Sequence, residues 1–359
     1  MHIPDGYLSP STCAVLYALA TSAWYAALKR VKNALATRTI PLISVFAAFS
    51  FVVMMFNVPL PGGTTGHAVG ITVAVIVLGP WGSVLATSIA LAIQALFFGD
   101  GGITTLGANC FNMAIVGSFT AYGVYRLVAA GSEPRSRRRV LAAAVAGYVS
   151  INAAALVAAL EFGIQPALFH DAAGTPLYAP YPLRIAVPAM MIGHLSFAGL
   201  AEALISAGMM SYLQRVDPGL LRGVGNLAGS PTVTAISASY SPRRLWWAVA
   251  FLMLLTPLGI LAAGTAWGEW SSADLENPET RAQIGAASGN QAPPAAVPVG
   301  LKRLSTVWTA PFPGYAPRFI KSETFGYLLS AMFGVGFFVL ASLVAGAVGR
   351  RREPRALKT

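Results

Sequence analysis

Residues at two places in the chain carry donor chemistry for a planar metal ion. Residues 1–6 read Met-His-Ile-Pro-Asp-Gly. A free α-amine on Met1, the backbone nitrogen of His2 and the His2 ring Nδ1 close two fused chelate rings on one cation. An imidazole from elsewhere can supply the fourth nitrogen. One of the other histidines, His67, lies in the glycine-rich stretch 61–70, PGGTTGHAVG. Four nitrogens in a plane suit Ni(II) and Cu(II). The backbone nitrogen must lose its proton to bind, so affinity is expected to fall at low pH. Against this, a histidine at residue 2 is more often a frayed terminal residue. Two features favour ligation. Bulky His2 is expected to protect Met1 from aminopeptidase removal, and no basic region precedes the first apolar run, as a cleaved leader would need. The translated terminus is therefore expected to be the working one.

The elements that must position these residues are membrane helices. The 359 residues are 55% hydrophobic and 10% charged, against about 25% charged in soluble proteins, and mean hydropathy is +0.63. This composition predicts an all-α, polytopic membrane protein. The net charge of +11 sits in short basic runs between apolar segments, as anchors at a membrane's inner face do, and does not point to nucleic acid. Cys13 and Cys110 lack CxxC spacing and read as packing residues. No GxxxxGK[ST] motif occurs, so the chain does not hydrolyse ATP by that route. No stretch outside the membrane has the size of a catalytic domain.

Spans are expected at about Thr12–Leu28 and Thr39–Val58, then two short crossings within Ala68–Phe98, divided at Gly79-Pro80-Trp81-Gly82. Further spans follow at about Ala108–Ala130, Val140–Leu160 and Arg184–Leu213. The basic residues Lys29, Arg30, Lys32 and Arg38 place the first connection inside and the N-terminus outside. That topology brings His67 to the side of Met1. Glu161–Leu183 is expected as an outer loop in which His170 and Asp171 are solvated. Gly223–Ser241 reads as a linker. Two more spans, about Leu245–Ala266 and Thr324–Val348, flank a polar outer segment, 267–323, whose composition allows partial disorder.

Residues 59–70 and 99–109 are glycine-rich and lie on the Met1 side, either as plain surface loops or folded inward around the terminus, where glycine lets backbone approach closely. In the second case Thr104, Thr105, Asn109 and Asn112 become candidates to orient His2 and His67, and Asp5 joins them. Ala14, Ala18, Ser22 and Ala26 give the first span a small-residue face for another helix. His194 and Glu202 are eight residues apart, about two turns, on one face of their span. Glu202 is expected toward the inner half, far from Met1, and helix contact or subunit docking is preferred over metal relay.

The hexapeptide, the His67 stretch, FGDGGITTLGANCFNM at 98–113 and the His194…Glu202 pattern together resemble the CbiM/NikM family, over about residues 1–215. These are substrate-binding membrane components of energy-coupling-factor transporters for cobalt and nickel. The resemblance implies a core of about seven helices (residues 1–225), with an extracellular N-terminus threaded into the molecule. It implies Met1 amine, His2 backbone nitrogen, His2 imidazole and His67 imidazole as ligands of a transported ion, with no resident cofactor. It also implies a membrane scaffold subunit and two cytoplasmic ATPases as partners, in a bacterial or archaeal cell membrane. Residues 226–359 are similar to a fused CbiN/NikN-type segment, two helices around an outer loop. TPLGILAAGTAWGEW at 256–270 and FGYLLSAMFG at 325–334 carry that likeness. The PDGLE-like signature of such segments is not intact; its nearest match is Ala273-Asp274-Leu275-Glu276. The planar donors favour nickel on intrinsic affinity, while cobalt uptake for corrinoid synthesis fits the same sequence. The rival readings are an intramembrane hydrolase built on His194 and Glu202, and an ATP-independent channel.

Overall fold

The computed structural model describes residues 1–31, 39–221, 243–262, 264–317 and 319–352. Lys32, Arg38 and the linker expected over 223–241 lie outside them. Among the described residues, six helices are long and apolar enough to cross a membrane, and a shorter apolar helix covers 40–54. Large side chains such as Leu127 (77% exposed) and Leu204 (73%) face outward, which suits a lipid solvent.

Helix α1 (Pro10–Val31) starts at Ser9, whose Oγ accepts the Thr12 N–H at 3.1 Å, and Pro10 fills the first helical position, where a missing N–H costs nothing. Its inner face is Cys13, Leu16, Ala20, Ala27 and Val31. Ala14, Ala18 and Ser22 point outward and Ala26 is half-buried, so among the described residues the small-residue face does not close on another helix. Helix α2 (Thr39–Met54) leads into a hairpin of β1 (Val58–Leu60) and β2 (Thr64–Gly66), paired antiparallel with Pro59 opposite Thr65. Its turn uses Gly62 and Gly63 at φ +84° and +74°, a region that costs glycine little.

Helix α3 (Ile71–Ile93) is two helices joined at Gly79, which sits at φ +74°, ψ 171°. Pro80 disfavours helical geometry in the residue before it and starts the new helix at its own first position. His67 and Asp100, at the two ends of this region, both flank His2. Trp81, just past the break, lies under the Arg30 guanidinium at the far end of α1. The chain thus runs down and returns, as the two expected crossings require. The first limb is short in helix: Ile71–Leu78 rises only about 12 Å, and extended residues make up the rest.

A π-helical turn, Gln94–Phe98, closes the second limb. Helix α4 (Leu106–Asn109) continues through π-helical Cys110–Gly117 into α5 (Ser118–Ala129). Helix α6 (Arg137–Leu168), capped by Ser136, runs past Glu161. The outer loop expected from Glu161 therefore starts only at Phe169, with Pro166 still inside the helix, in its last turn. Helix α7 (Leu183–Gly193), a π-helical turn His194–Ala198 and α8 (Gly199–Val216) form one pass.

Helix α9 (Arg243–Leu255) tightens into a 3-10 turn, Thr256–Leu261, and stops short of the expected Ala266 because Pro257 interrupts the backbone bonds. Residues 267–323, whose composition allows partial disorder, carry regular structure among their described residues. They contain α10 (Ser272–Glu276), closed by a Ser271–Asp274 capping box, α11 (Pro278–Ala287), capped by Asn277, and α12 (Val299–Leu304). Trp267, Trp270, Leu275, Ile284 and Leu301 are buried, which supplies the apolar burial the composition had left in doubt. Helix α13 (Glu323–Arg352) packs on α2 through Phe338 and Phe51, 5.8 Å apart.

Candidate metal centre

The N-terminal residues form an irregular segment threaded into the bundle and tied at every second position. The Ile3 N–H donates to Asn109 Oδ1 at 2.8 Å. The Ile3 carbonyl accepts from Gly102 N (2.9 Å), Asn109 Nδ2 (3.1 Å) and Thr105 Oγ1. The Asp5 carboxylate accepts from Ile103 N (3.1 Å), Thr104 N (2.7 Å) and Thr104 Oγ1. The Tyr7 hydroxyl donates to the Trp270 carbonyl at 2.7 Å, while its carbonyl accepts from Ala179 N. Ser9 N donates to Gln165 Oε1 at 3.0 Å. The close approach of 99–109 needs Gly102, since a Cβ there would sit 2.3 Å from Asp5 N.

This threading buries Met1 (2% exposed), His2 (0%) and His67 (7%) in one place. The two imidazoles stand edge to face, with ring centroids 5.0 Å apart, a separation that one ion with bonds to nitrogen of about 2 Å can bridge. His67 Nδ1 donates to the Ala68 carbonyl at 3.0 Å, which leaves Nε2 as its lone-pair donor. His2 Nδ1 lies 2.8 Å from Asp100 Oδ1, but off the axis of a hydrogen bond, so neither His2 nitrogen has a hydrogen-bond partner among the described residues. The Met1 amine contacts Glu269 Oε1 at 3.1 Å. No three His, Cys, Asp or Glu side chains converge at metal spacing among the described residues. A metal held here would need donors besides such side chains, and the Met1 amine and His2 backbone nitrogen are the expected ones.

The electrostatics separate the two rings. Burial alone would lower the His2 imidazole, but the Asp100 carboxylate outweighs it and holds the ring above the usual histidine range. Burial, then the neighbouring His2 and the terminal amine, push His67 down to about 3. Burial would raise Asp100, yet His2 beside it holds the carboxyl well below the usual range. Tyr315 donates to Asp100 Oδ2 at 2.5 Å, and Gln94 Nε2 donates to both Tyr315 (2.8 Å) and Asp100 (3.2 Å). A cavity of about 640 Å³, lined in part by Asn57, Thr65, His67, Asp100, Glu269 and Tyr315, opens beside the rings.

Among the other expected residues, Asp5, Thr104, Thr105 and Asn109 hold the segment rather than the imidazoles. Asn112 donates to Glu161 Oε2 at 2.7 Å and is bonded to neither ring. Glu202 is not remote from the site: its carboxylate accepts the Val69 and Gly70 amides at 2.6 and 2.9 Å, just past His67. His194 donates from Nδ1 to the Met190 carbonyl at 2.8 Å. Both residues are buried, so subunit docking through them gives way to contact inside the chain. Their separate partners also leave the hydrolase reading without a paired acid and base. His170 and Asp171 are exposed. Asp100, Glu269, Tyr315 and Gln94 were not picked out from the sequence. Asp100 carried a signal, as the one acid in DGGITTLGAN; Glu269 and Tyr315 lie more than 200 residues along the chain from Met1, His2 and His67.

The family model CbiM, described as a cobalt uptake substrate-specific transmembrane region, matches residues 2–220. The chain is 52% identical to a fused nickel transport protein NikMN of Rhodobacter capsulatus over 99% of both chains. It is 32% identical to a cobalt transport protein CbiM of Geobacter sulfurreducens, covering 76% of this chain and 75% of the relative. A crystal structure of a transition metal transporter superposes with a TM-score of 0.57 at 50% identity, covering 64% of this chain and all of that one.

Proposed function

The chain belongs to the CbiM family, and from that premise we propose that it is the substrate-binding membrane component of an energy-coupled importer whose ion is Ni²⁺. The observation that carries this is the burial of Met1, His2 and His67 together, with His2 Nε2 lacking a partner among the described residues and Nδ1 faced only by the Asp100 carboxylate at 2.8 Å. The Met1 amine, His2 backbone nitrogen, His2 Nδ1 and His67 Nε2 form the ligand plane, a geometry that suits nickel. The nickel transport names of fused relatives support the same ion, and cobalt is the second candidate.

The ion arrives from outside the cell through the cavity beside Glu269 and Asp100. It replaces Glu269 at the amine and Asp100 at His2 Nδ1, and protons leave the amine and the backbone nitrogen as it binds. A membrane scaffold subunit and two cytoplasmic ATPases supply the energy that reorients the component and releases the ion inward. The outward Ala14–Ala18–Ser22 face of α1 is the docking face for the scaffold. Residues 1–225 act as the binding component and 226–359 as the NikN-like segment that covers it.

The test is a titration of Ni²⁺ and Co²⁺ into purified protein with its native terminus, beside a version carrying one extra residue before Met1. One Ni²⁺ bound with a planar absorption band, lost on extension, supports the reading. Equal binding by both forms removes the amine from the ligand set and overturns it.

A further inference from the structure

The peptide unit between Ala68 and Val69 joins two contacts described so far only separately. Its N–H donates to Glu202 Oε2 at 2.6 Å. Its carbonyl accepts from His67 Nδ1 at 3.0 Å. A peptide unit is planar, so fixing the direction of the N–H fixes the direction of the carbonyl. Glu202 also takes the Gly70 N–H at 2.9 Å, and Ser50 Oγ donates to the Val69 carbonyl at 2.7 Å. The next peptide is therefore pinned as well. Gly70, at φ +74°, turns the chain directly into α3, with the Phe49 ring so close that a Cβ would lie 2.5 Å from it.

We propose that Glu202 is a positioning residue for the metal centre, acting through the Ala68–Val69 peptide to set the ring angle and tautomer of His67. A metal-bound histidine commonly donates its other ring N–H to a carboxylate or carbonyl, which orients the ring and raises its basicity. Here the carbonyl is the immediate partner and the carboxylate stands one peptide behind it. Hydrogen bonds in such a chain polarise one another, so the carboxylate strengthens the carbonyl as an acceptor and His67 Nε2 as a donor. Glu202 has no surface of its own to serve, being wholly buried on α8. The link also ties the ligand loop to α8, whose outer side chains Leu200 and Leu204 are exposed.

This inference rests on His67 being a ligand, and the experiment separates the two. Ni²⁺ is titrated into the full chain with its native terminus, as wild type, His67→Ala, E202A, E202Q and the His67→Ala/E202A double variant. The expected result is a loss in Ni²⁺ affinity of about 10- to 100-fold for E202A, the range typical of such outer partners, with a planar band altered toward that of His67→Ala. E202Q, which keeps one acceptor oxygen, falls between wild type and E202A and reports alone if E202A does not fold. The double variant binds no more weakly than His67→Ala, because Glu202 acts only through that ring. Full additivity in the double variant, or wild-type affinity and spectrum in E202Q and E202A, overturns the role of Glu202. If His67→Ala itself binds like wild type, the ligand reading fails first, and this inference with it.

Discussion

Replacing Asn109 with alanine removes the acceptor of the Ile3 N–H and one of three donors to the Ile3 carbonyl. The two losses are unequal. The carbonyl keeps Gly102 N and Thr105 Oγ1, so its desolvation stays compensated. The amide is buried with no other acceptor among the described residues, and a buried donor without a partner costs about 1–3 kcal/mol. That cost falls on the docked segment, the state in which Met1 and His2 reach His67. Ni²⁺ affinity should therefore drop by about 5- to 150-fold, read by calorimetric titration of the purified chain at fixed pH. Thr105→Ala is the internal control. It removes a donor from the same carbonyl and leaves two, so its loss should stay within about threefold. Unchanged affinity in Asn109→Ala, or an equal loss in Thr105→Ala, would refute the claim that the Ile3 amide is the decisive tie.

Other outcomes follow from the same geometry. Asp100 raises the His2 imidazole against the effect of burial, so in Asp100→Asn the ring holds its proton less tightly and Ni²⁺ competes better; the midpoint of Ni²⁺ binding against pH should move to lower pH. Gly102→Ala places a methyl 2.3 Å from Asp5 N and 2.4 Å from Asp5 Oδ1, and should abolish planar Ni²⁺ binding in a chain whose helical circular dichroism is unchanged. Ala18→Leu, on the outward face of α1, should leave Ni²⁺ binding intact and abolish uptake into cells or proteoliposomes carrying the partner subunits; normal uptake would remove that face from the docking scheme.

The helical plan was legible because hydropathy and basic runs report directly on a bilayer, and the break at Gly79-Pro80 was legible because proline constrains the residue before it. The meeting of Met1, His2 and His67 was legible too, since chelate chemistry singles out an amine next to a histidine and the topology brings His67 to the same side. The hairpin at 58–66 went unread, although Pro61-Gly62-Gly63 is turn chemistry, because strands of three residues leave no periodicity. Residues 267–323 looked loose for a related reason. Their buried Trp267, Trp270 and Leu301 are spaced without a helical or strand period, and only the tertiary fold supplies their partners. Glu202 was misplaced by counting depth along its own helix; the non-helical residues 68–70, whose amides meet it, are invisible to such a count.

The terminal segment has a consequence for how the molecule is made. Residues 1–6 leave the ribosome long before Glu269 and Leu301, yet Met1 meets Glu269 and Gly6 lies so near Leu301 that a Cβ on it would stand 2.7 Å from that residue's carbonyl oxygen. The earliest-made stretch thus gains its last neighbours only after the late segment has emerged and folded across it. Until then residues 1–6 are open on that side, so the order of synthesis itself leaves an interval in which the terminal segment is not yet covered.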